Sequence, residues 1–346
     1  MNEIVFSDYT LRMVSDADIQ HAGQVIRDGG LVAMPTETVY GLGANALDAD
    51  AVAKVFAAKA RPSFDPLIVH VADAAAAWSL VDLDALPETQ RHLPGVLAEA
   101  FWPGPLTMVL PKREMVPGIV TSGLETVGVR VPRHPVAQKL IAAAGVPIAA
   151  PSANVCGGSS PTRAEHGTVD GDVVLDGGPC DTGVESTVVG FDPGGLVVLR
   201  LGGLPVEAIE RQVKQQGGGV AVTVATPTSS PSEQPQASPG RLDRHYAPRT
   251  PMRLIEKLEQ LDPASLGNQR VGLMSLRGEQ GRGMGFAVAE VLSATGDLTA
   301  AAARLFEAMH RLDAAGLDLI VAEAVPEQGL GRAINDRLRR AATAAS

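Results

Sequence analysis

The sequence predicts a mixed α/β protein, a twisted mixed sheet with flanking helices, followed by a smaller βα unit. Three observations predict it. Hydrophobic residues make up 45% of the 346 residues and aromatics only 3%, so packing falls to Ala, Val, Leu and Ile rather than to aromatic pairs between facing sheets. Short apolar runs alternate with capped helical stretches, yet several runs follow one another with no helix signal between them, which points to a mixed rather than a purely parallel sheet. Residues 226–240, TPTSSPSEQPQASPG, have almost nothing to bury and read as a linker. The length suits about two domains of roughly 150 residues each. The expected division is a large domain at 1–212, a flexible linker or lid at 213–250, and a C-terminal domain at 251–346.

In chain order, Ser15 can cap a helix through about Asp28, which Gly29 and Gly30 stop. LVAM (31–34) is a strand, and Asp48 or Asp50 can cap a helix through AVAKVFAAKA. LIVHV (67–71), TMVL (107–110), VGVRV (127–131), PIAA (147–150), DVVLD (172–176), STVVGF (186–191) and LVVLRL (196–201) read as further strands. After the linker, VGLMSL (271–276) and LDLIVAE (317–323) look like buried strands. Leu298, Leu305, Met309 and Leu312 recur between them at helical spacing, so parallel pairing is expected there.

Composition also excludes. The net charge is −10 and the pI about 5.2, unlike a protein built to grip a phosphate backbone, so no strong direct nucleic-acid binding is expected. Cys156 and Cys180 are the only cysteines and form no C-x-x-C metal pattern. No signal peptide and no apolar run near the roughly 18 residues of a membrane span are visible, so a cytoplasmic protein is expected.

Chemistry concentrates in a few segments. PTETVYGLGANA (35–46) places Thr36, Glu37, Thr38 and Tyr40 after a strand, where α/β sheets bind ligands; an ordinary strand-to-helix loop would look the same. Gly41-x-Gly43-x-x-Ala46 mimics a dinucleotide fingerprint. The preceding strand ends earlier, however, and the helix begins near Asp48, so the glycines do not make the strand-to-helix turn. Lys59 and Arg61 end a helix, where cations suit the dipole and also suit phosphate or carboxylate. Asp65 and the strand bearing His70 follow; alone, His70 reads as a core histidine. Ser152 and Asn154, two apart at a strand end, point the same way, or make an Asx or Ser turn. Small residues from Gly157 to Thr162 could bring backbone N–H groups to phosphate. Arg130 and Arg200 each interrupt an apolar strand and need an anionic partner if buried. Lys59, Arg61, Arg130 and Arg200 together predict a focused anionic-ligand pocket in an acidic protein. No nucleophile with its base is visible, and no P-loop.

Taken in order, PTETVYGLGANA, KARP, DPLIVHV, FWPGPLT, VGVRVP, PSAN, ESTVV and LRLG resemble the YrdC-domain family from about residue 15 to 205. The tail, with Ser238-Pro239-Gly240 and Arg244-His245-Tyr246-Ala247-Pro248, resembles the family's long form, which appends a Rossmann-like domain. The resemblance implies a nucleotidyltransferase that condenses L-threonine, bicarbonate or CO2, and ATP to threonylcarbamoyl-AMP and pyrophosphate, for N6-threonylcarbamoyladenosine formation in tRNA. It implies a catalytic tetrad at Lys59, Arg61, Ser152 and Asn154. L-threonine would be held by Thr38, His70, Arg130, Ser152 and Ser186. ATP would be held by Lys59, Arg61, Asp65, Thr126, Asn154, Thr162, Arg200 and Tyr246. Mg2+ would arrive on the ATP phosphates with no protein ligand, no organic cofactor is implied, and the product would pass to threonylcarbamoyl-transfer machinery. The rival readings are an RNA-binding YrdC-like module without catalysis, disfavoured by the acidic pI and sparse aromatics, and a hydrogenase-maturation carbamoyl-transfer domain, whose zinc-finger cysteines two cysteines cannot supply.

Overall fold

The computed structural model describes residues 14–167, 171–216, 220–225, 246–278 and 285–343. The first helix, α1 (Asp16–Arg27), begins where the sequence places it. Ser15 accepts from the Asp18 N–H while the Asp18 carboxylate accepts from the Ser15 N–H, a reciprocal capping box. β1 (Val32–Met34) and β2 (Gly41–Asn45) follow, then α2 (Ala49–Lys59), capped by Asp48. Next come β3 (Ile68–His70), α3 (Ala74–Leu80), α4 (Leu93–Phe101), β4 (Leu106–Pro111), β5 (Thr126–Arg130), α5 (Pro135–Ala144) and β6 (Ile148–Ala149). The first unit closes with β7 (Val173–Val174), β8 (Thr187–Asp192), β9 (Gly195–Arg200), α6 (Val206–Gln215) and β10 (Val222–Val224).

Among the described residues these strands form one ten-stranded mixed sheet, ordered β10-β9-β8-β4-β5-β3-β6-β2-β1-β7. It ends on the two-residue β7 at one edge and the three-residue β10 at the other. Side chains alternate faces along each strand. Val32, Met34 and Ile148 therefore join a cluster with α1 and α5, while Ala33 and Ala149 join the larger cluster with α2, α3, α4 and α6. The sheet is thus buried on both faces.

The second unit contains β11 (Met252–Ile255), β12 (Val271–Ser275), β13 (Val288–Val291), α7 (Leu298–Ala314), β14 (Leu319–Glu323) and α8 (Gly331–Ala342). Its sheet, ordered β11-β14-β12-β13, is parallel throughout, as the sequence predicts. α7 and α8 cover one face. Val39, Val184 and Tyr246 belong to the same apolar cluster as these helices, so the two units share a core.

Several elements are additions to the sequence reading: β2, α3 to α6, β10, β11, β13 and α8. β2 is not among the strands the sequence predicts: Gly41 and Gly43, in the segment for which a strand-to-helix loop is one alternative, lie within a strand antiparallel to β1. A Cβ on Gly43 would lie 2.7 Å from Ile148, which is why glycine stands there. The fingerprint glycines make no turn, in line with the sequence argument. α6 continues past residue 212, and β10 pairs with β9 within the span assigned to the linker. Residues 226–245, including Ser238-Pro239-Gly240 and Arg244-His245, lie outside the described residues.

Candidate functional site

A pocket opens where several strand ends meet. β3 and β5 run parallel and in register, so His70 lies beside Arg130. The loop between β1 and β2 contributes Thr36 and Thr38, and the segment after β6 contributes Pro151 and Ser152, bridged to Gly41. Ser186 precedes β8, and Arg200 ends β9 opposite Val188. Arg61, Glu185 and Tyr246 complete the polar lining.

The charges are buried and mostly neutralised locally. Arg130 reaches Glu37 at 2.7 Å and donates to the Thr38 hydroxyl at 3.0 Å and the Gly104 carbonyl at 3.2 Å. Burial pushes the Glu37 carboxyl up, but the charge and hydrogen bond of Arg130 outweigh it and hold Glu37 below the usual carboxylate range. Arg61 pairs with Asp65 at 2.9 Å and donates to the Asp65 and Pro66 carbonyls at 2.9 Å each. Arg200 donates to the Ser186 carbonyl at 3.0 Å and hydroxyl at 3.2 Å, and Ser186 also exchanges a hydrogen bond with Thr107 at 2.8 Å.

His70 is fixed as a neutral ring. Burial, then the Arg130 charge, lower it to about 3. Its Nδ1 is buried with no hydrogen-bond partner in the protein, in a pocket wall. A buried polar atom in a pocket wall is available to a hydrogen-bonding group that enters the pocket. Asn154 Oδ1 is unpartnered too, although its amide donates to the Val155 and Gly158 carbonyls at 2.8 Å each.

Of the residues singled out in the sequence, Thr38, Arg61, His70, Arg130, Ser152, Ser186, Arg200 and Tyr246 line this one pocket. Others do not. Lys59 stands behind the Ser152 segment: its ammonium donates to the Ser152 carbonyl at 2.5 Å and to the Asn154 carbonyl. Burial and the neighbouring Arg61 lower it to about 7. A neutral amine still has two N–H donors for those two carbonyls, so the loop stays tied in either protonation state. Asn154 and Asp65 flank the pocket rather than line it. Thr162 donates its backbone N–H to His166 at 3.2 Å. Thr126 opens β5 and pairs with Pro111, four residues from Arg130 and so about 13 Å away along the strand.

The sequence reading quoted Thr36, Glu37 and Glu185 without giving them roles, and did not find Arg337 of α8 at all. Glu185 accepts from the Ser160 hydroxyl at 2.5 Å and from Arg337 at 3.0 Å. An isolated Arg within VGVRVP demands a buried acid, so a partner such as Glu37 was inferable in kind. Arg337 follows a helix pattern with nothing local to mark it. Among the described residues no cluster of three His, Cys, Asp or Glu side chains could hold a metal ion, and no helix is long and apolar enough to cross a membrane.

Comparison with known proteins agrees with this architecture. The Sua5/YciO/YrdC family model, described as "Telomere recombination", matches residues 24–202. A second, described as "Threonylcarbamoyl-AMP synthase, C-terminal domain", matches residues 204–343. The threonylcarbamoyl-AMP synthase of Pyrococcus abyssi is 41% identical over 342 residues, 95% of each chain. That of Bacillus subtilis is also 41% identical over 342 residues, 95% of this chain and 94% of its own. A crystal structure of P. abyssi Sua5 complexed with L-threonine superimposes with a TM-score of 0.84 at 38% identity, covering 96% of both chains. With both domains matched in order and relatives aligned nearly end to end, this chain belongs to the Sua5/YciO/YrdC family, in the long form that carries the threonylcarbamoyl-AMP synthase C-terminal domain.

Proposed function

We propose that the chain is a threonylcarbamoyl-AMP synthase, joining L-threonine, bicarbonate and ATP for tRNA threonylcarbamoylation. The observation that carries the reading is one pocket that gathers Arg61, Arg130 and Arg200 around the unpartnered Nδ1 of a neutral His70 and the hydroxyls of Thr38, Ser152 and Ser186. That combination suits a small zwitterion beside a polyanion. Relatives of the same name, aligned over almost the whole chain, support it.

In this reading the deprotonated amine of threonine forms a C–N bond to the carbon of bicarbonate, which loses water, leaving a carbamate. A carbamate oxygen then attacks the α-phosphorus of ATP, and the P–O bond to pyrophosphate breaks. Positioning and charge neutralisation dominate such a displacement. Arg130 and Ser186 receive the threonine carboxylate, while Thr38 and His70 share its hydroxyl and amine. A neutral His70 adds no charge and so discriminates by hydrogen bonding, which rejects analogues lacking the hydroxyl. Arg61, Arg200 and Tyr246 take the nucleotide, and Lys59 keeps Ser152 in place. Mg2+ bound to ATP would neutralise the departing pyrophosphate. The pocket carboxylates suit a metal that comes with ATP rather than one held by protein, since Glu37 is paired to Arg130 and Glu185 to Arg337. Cytoplasmic residence and hand-over to a threonylcarbamoyl-transfer partner complete the proposal; the two free cysteines suit a reducing compartment.

The test is pyrophosphate release from ATP with Mg2+ by the purified chain. Release that requires both L-threonine and bicarbonate is expected; release indifferent to threonine would sink the assignment.

A further inference from the structure

One side chain carries the second unit into the pocket wall. Arg337, on α8, is fully buried between the units. Its Nε donates to one Glu185 oxygen at 3.0 Å, and a terminal nitrogen donates to the Leu201 carbonyl at 2.7 Å and to Asp336 at 2.8 Å. The guanidinium lies over the Tyr246 ring, 4.9 Å from its centroid. Glu185 and Tyr246 both line the pocket. The other Glu185 oxygen takes its hydrogen bond from Ser160 at 2.5 Å, so each carboxylate oxygen has a donor, one from each unit.

Glu185 is an awkward group in this wall. It immediately precedes Ser186, whose carbonyl and hydroxyl are held by Arg200, and its negative charge is close enough to act on Arg200. A buried carboxylate that loses one partner is left as an uncompensated charge, and Arg200 is a pocket cation on which Glu185 acts. In the pocket that cation is one expected to meet the nucleotide.

We propose that Arg337 is a positioning residue of the ATP site: by engaging Glu185 and stacking on Tyr246 it keeps Glu185 from neutralising Arg200, and so makes the C-terminal unit part of the nucleotide wall. The inference rests on the pocket taking ATP, as proposed above.

The experiment measures ATP binding at equilibrium and pyrophosphate release for the full chain, for Arg337→Gln, and for Arg337→Gln combined with Glu185→Gln. Arg332→Gln is the control, since Arg332 also bridges the units, through a half-buried contact with Glu207 at 3.5 Å. Arg337→Gln is expected to raise both Kd and KM for ATP about tenfold, with KM for threonine within about threefold, and the control to stay near the parent. Adding Glu185→Gln is expected to return most of the loss, because the stray carboxylate is gone. A purely architectural Arg337 gives no such rescue, so equal impairment of single and double variants overturns the proposal. An ATP Kd for Arg337→Gln equal to the parent's overturns it as well. If Arg337→Gln does not fold, Arg337→Lys and the double variant are expected to bind ATP nearly as the parent does, and weak binding by either is contrary. A parent that binds ATP but shows no threonine-dependent release removes the synthase reading alone, and the binding constants still decide the role of Arg337. A parent that binds no ATP removes both.

Discussion

Replacing Gly183 by alanine probes the seam between the two units with one methyl group. Gly183 has φ +72° and lies against α7. An added Cβ would stand 2.4 Å from the Ala303 Cα, 2.5 Å from the Ala302 carbonyl oxygen and 2.6 Å from the Ala303 carbonyl oxygen. Ordinary contact begins at 3.4 Å, so α7 would have to retreat by about 1 Å (3.4 less 2.4), and backbone atoms offer no rotamer to turn aside. The left-handed backbone costs an L-residue about 1–2 kcal/mol, and overpacking typically adds about 1–3 kcal/mol. The total is about 2–5 kcal/mol, which at roughly 2–4 °C per kcal/mol lowers Tm by about 4–20 °C. Tyr246, whose ring lies 5.7 Å from Phe306 of α7, would shift with the helix and weaken ATP binding. Differential scanning calorimetry with an ATP titration reads both effects. Gly194→Ala is the control, because a Cβ there meets nothing within 4 Å. A Gly183→Ala protein that melts and binds like Gly194→Ala would refute the close approach of α7 and the role given to the seam.

Other tests follow from the site. Lys59→Met leaves the Ser152 and Asn154 carbonyls without their donor; at about 1–3 kcal/mol for each unsatisfied group, urea unfolding should show a clear loss, and pyrophosphate release should collapse as Ser152 moves. Arg130→Lys gives up the fork that joins Glu37, Thr38 and Gly104, so KM for L-threonine should rise about tenfold or more while KM for ATP changes little. Stability should also fall in acid. His70 and His166 are both held near 3 by burial, whereas the unfolded chain protonates near 6.5, so their neutral forms support the fold above pH 6.5 and that support is lost as pH drops from 6.5 toward 3. Urea midpoints across that window should slope downward with acid, and a flat profile would contradict the burial of these rings.

Much of this was legible because it is local. The capping box at Ser15 and the Asp48 cap are written in adjacent residues, and the valine-rich strands announce themselves by composition. α5 was not read, although Pro135 stands in its first turn and His134 caps it, because PVAQKLIAAA sits between two strand runs and its alanines give weak periodicity. β2 hid behind glycines that strand propensity penalises, yet contact with Ile148 requires one of them. At the site, buried arginines at strand ends pointed to an anionic pocket without identifying their partners. Arg130 meets Glu37 across 93 residues of chain (130 less 37), and Arg337 meets Glu185 across 152. Pairings at such separations are set by topology, which local spacing does not encode. The charge of Lys59 is visible in the sequence, while the Ser152 and Asn154 carbonyls it serves are not.

The two ends of the ten-stranded sheet bear on how the protein behaves in crowded solution. An open sheet edge is a template for another chain, and the hazard grows with the length of the exposed strand. Among the described residues, β7 and β10 offer two and three residues, about 7 and 10 Å of ladder, too little to seat a partner strand. Val174 and Val224, among the few large apolar side chains left exposed, lie on these stubs. Had either strand run the length of β4, those valines would sit within an adhesive ribbon; among the described residues, strands this short give edge-to-edge growth little to build on.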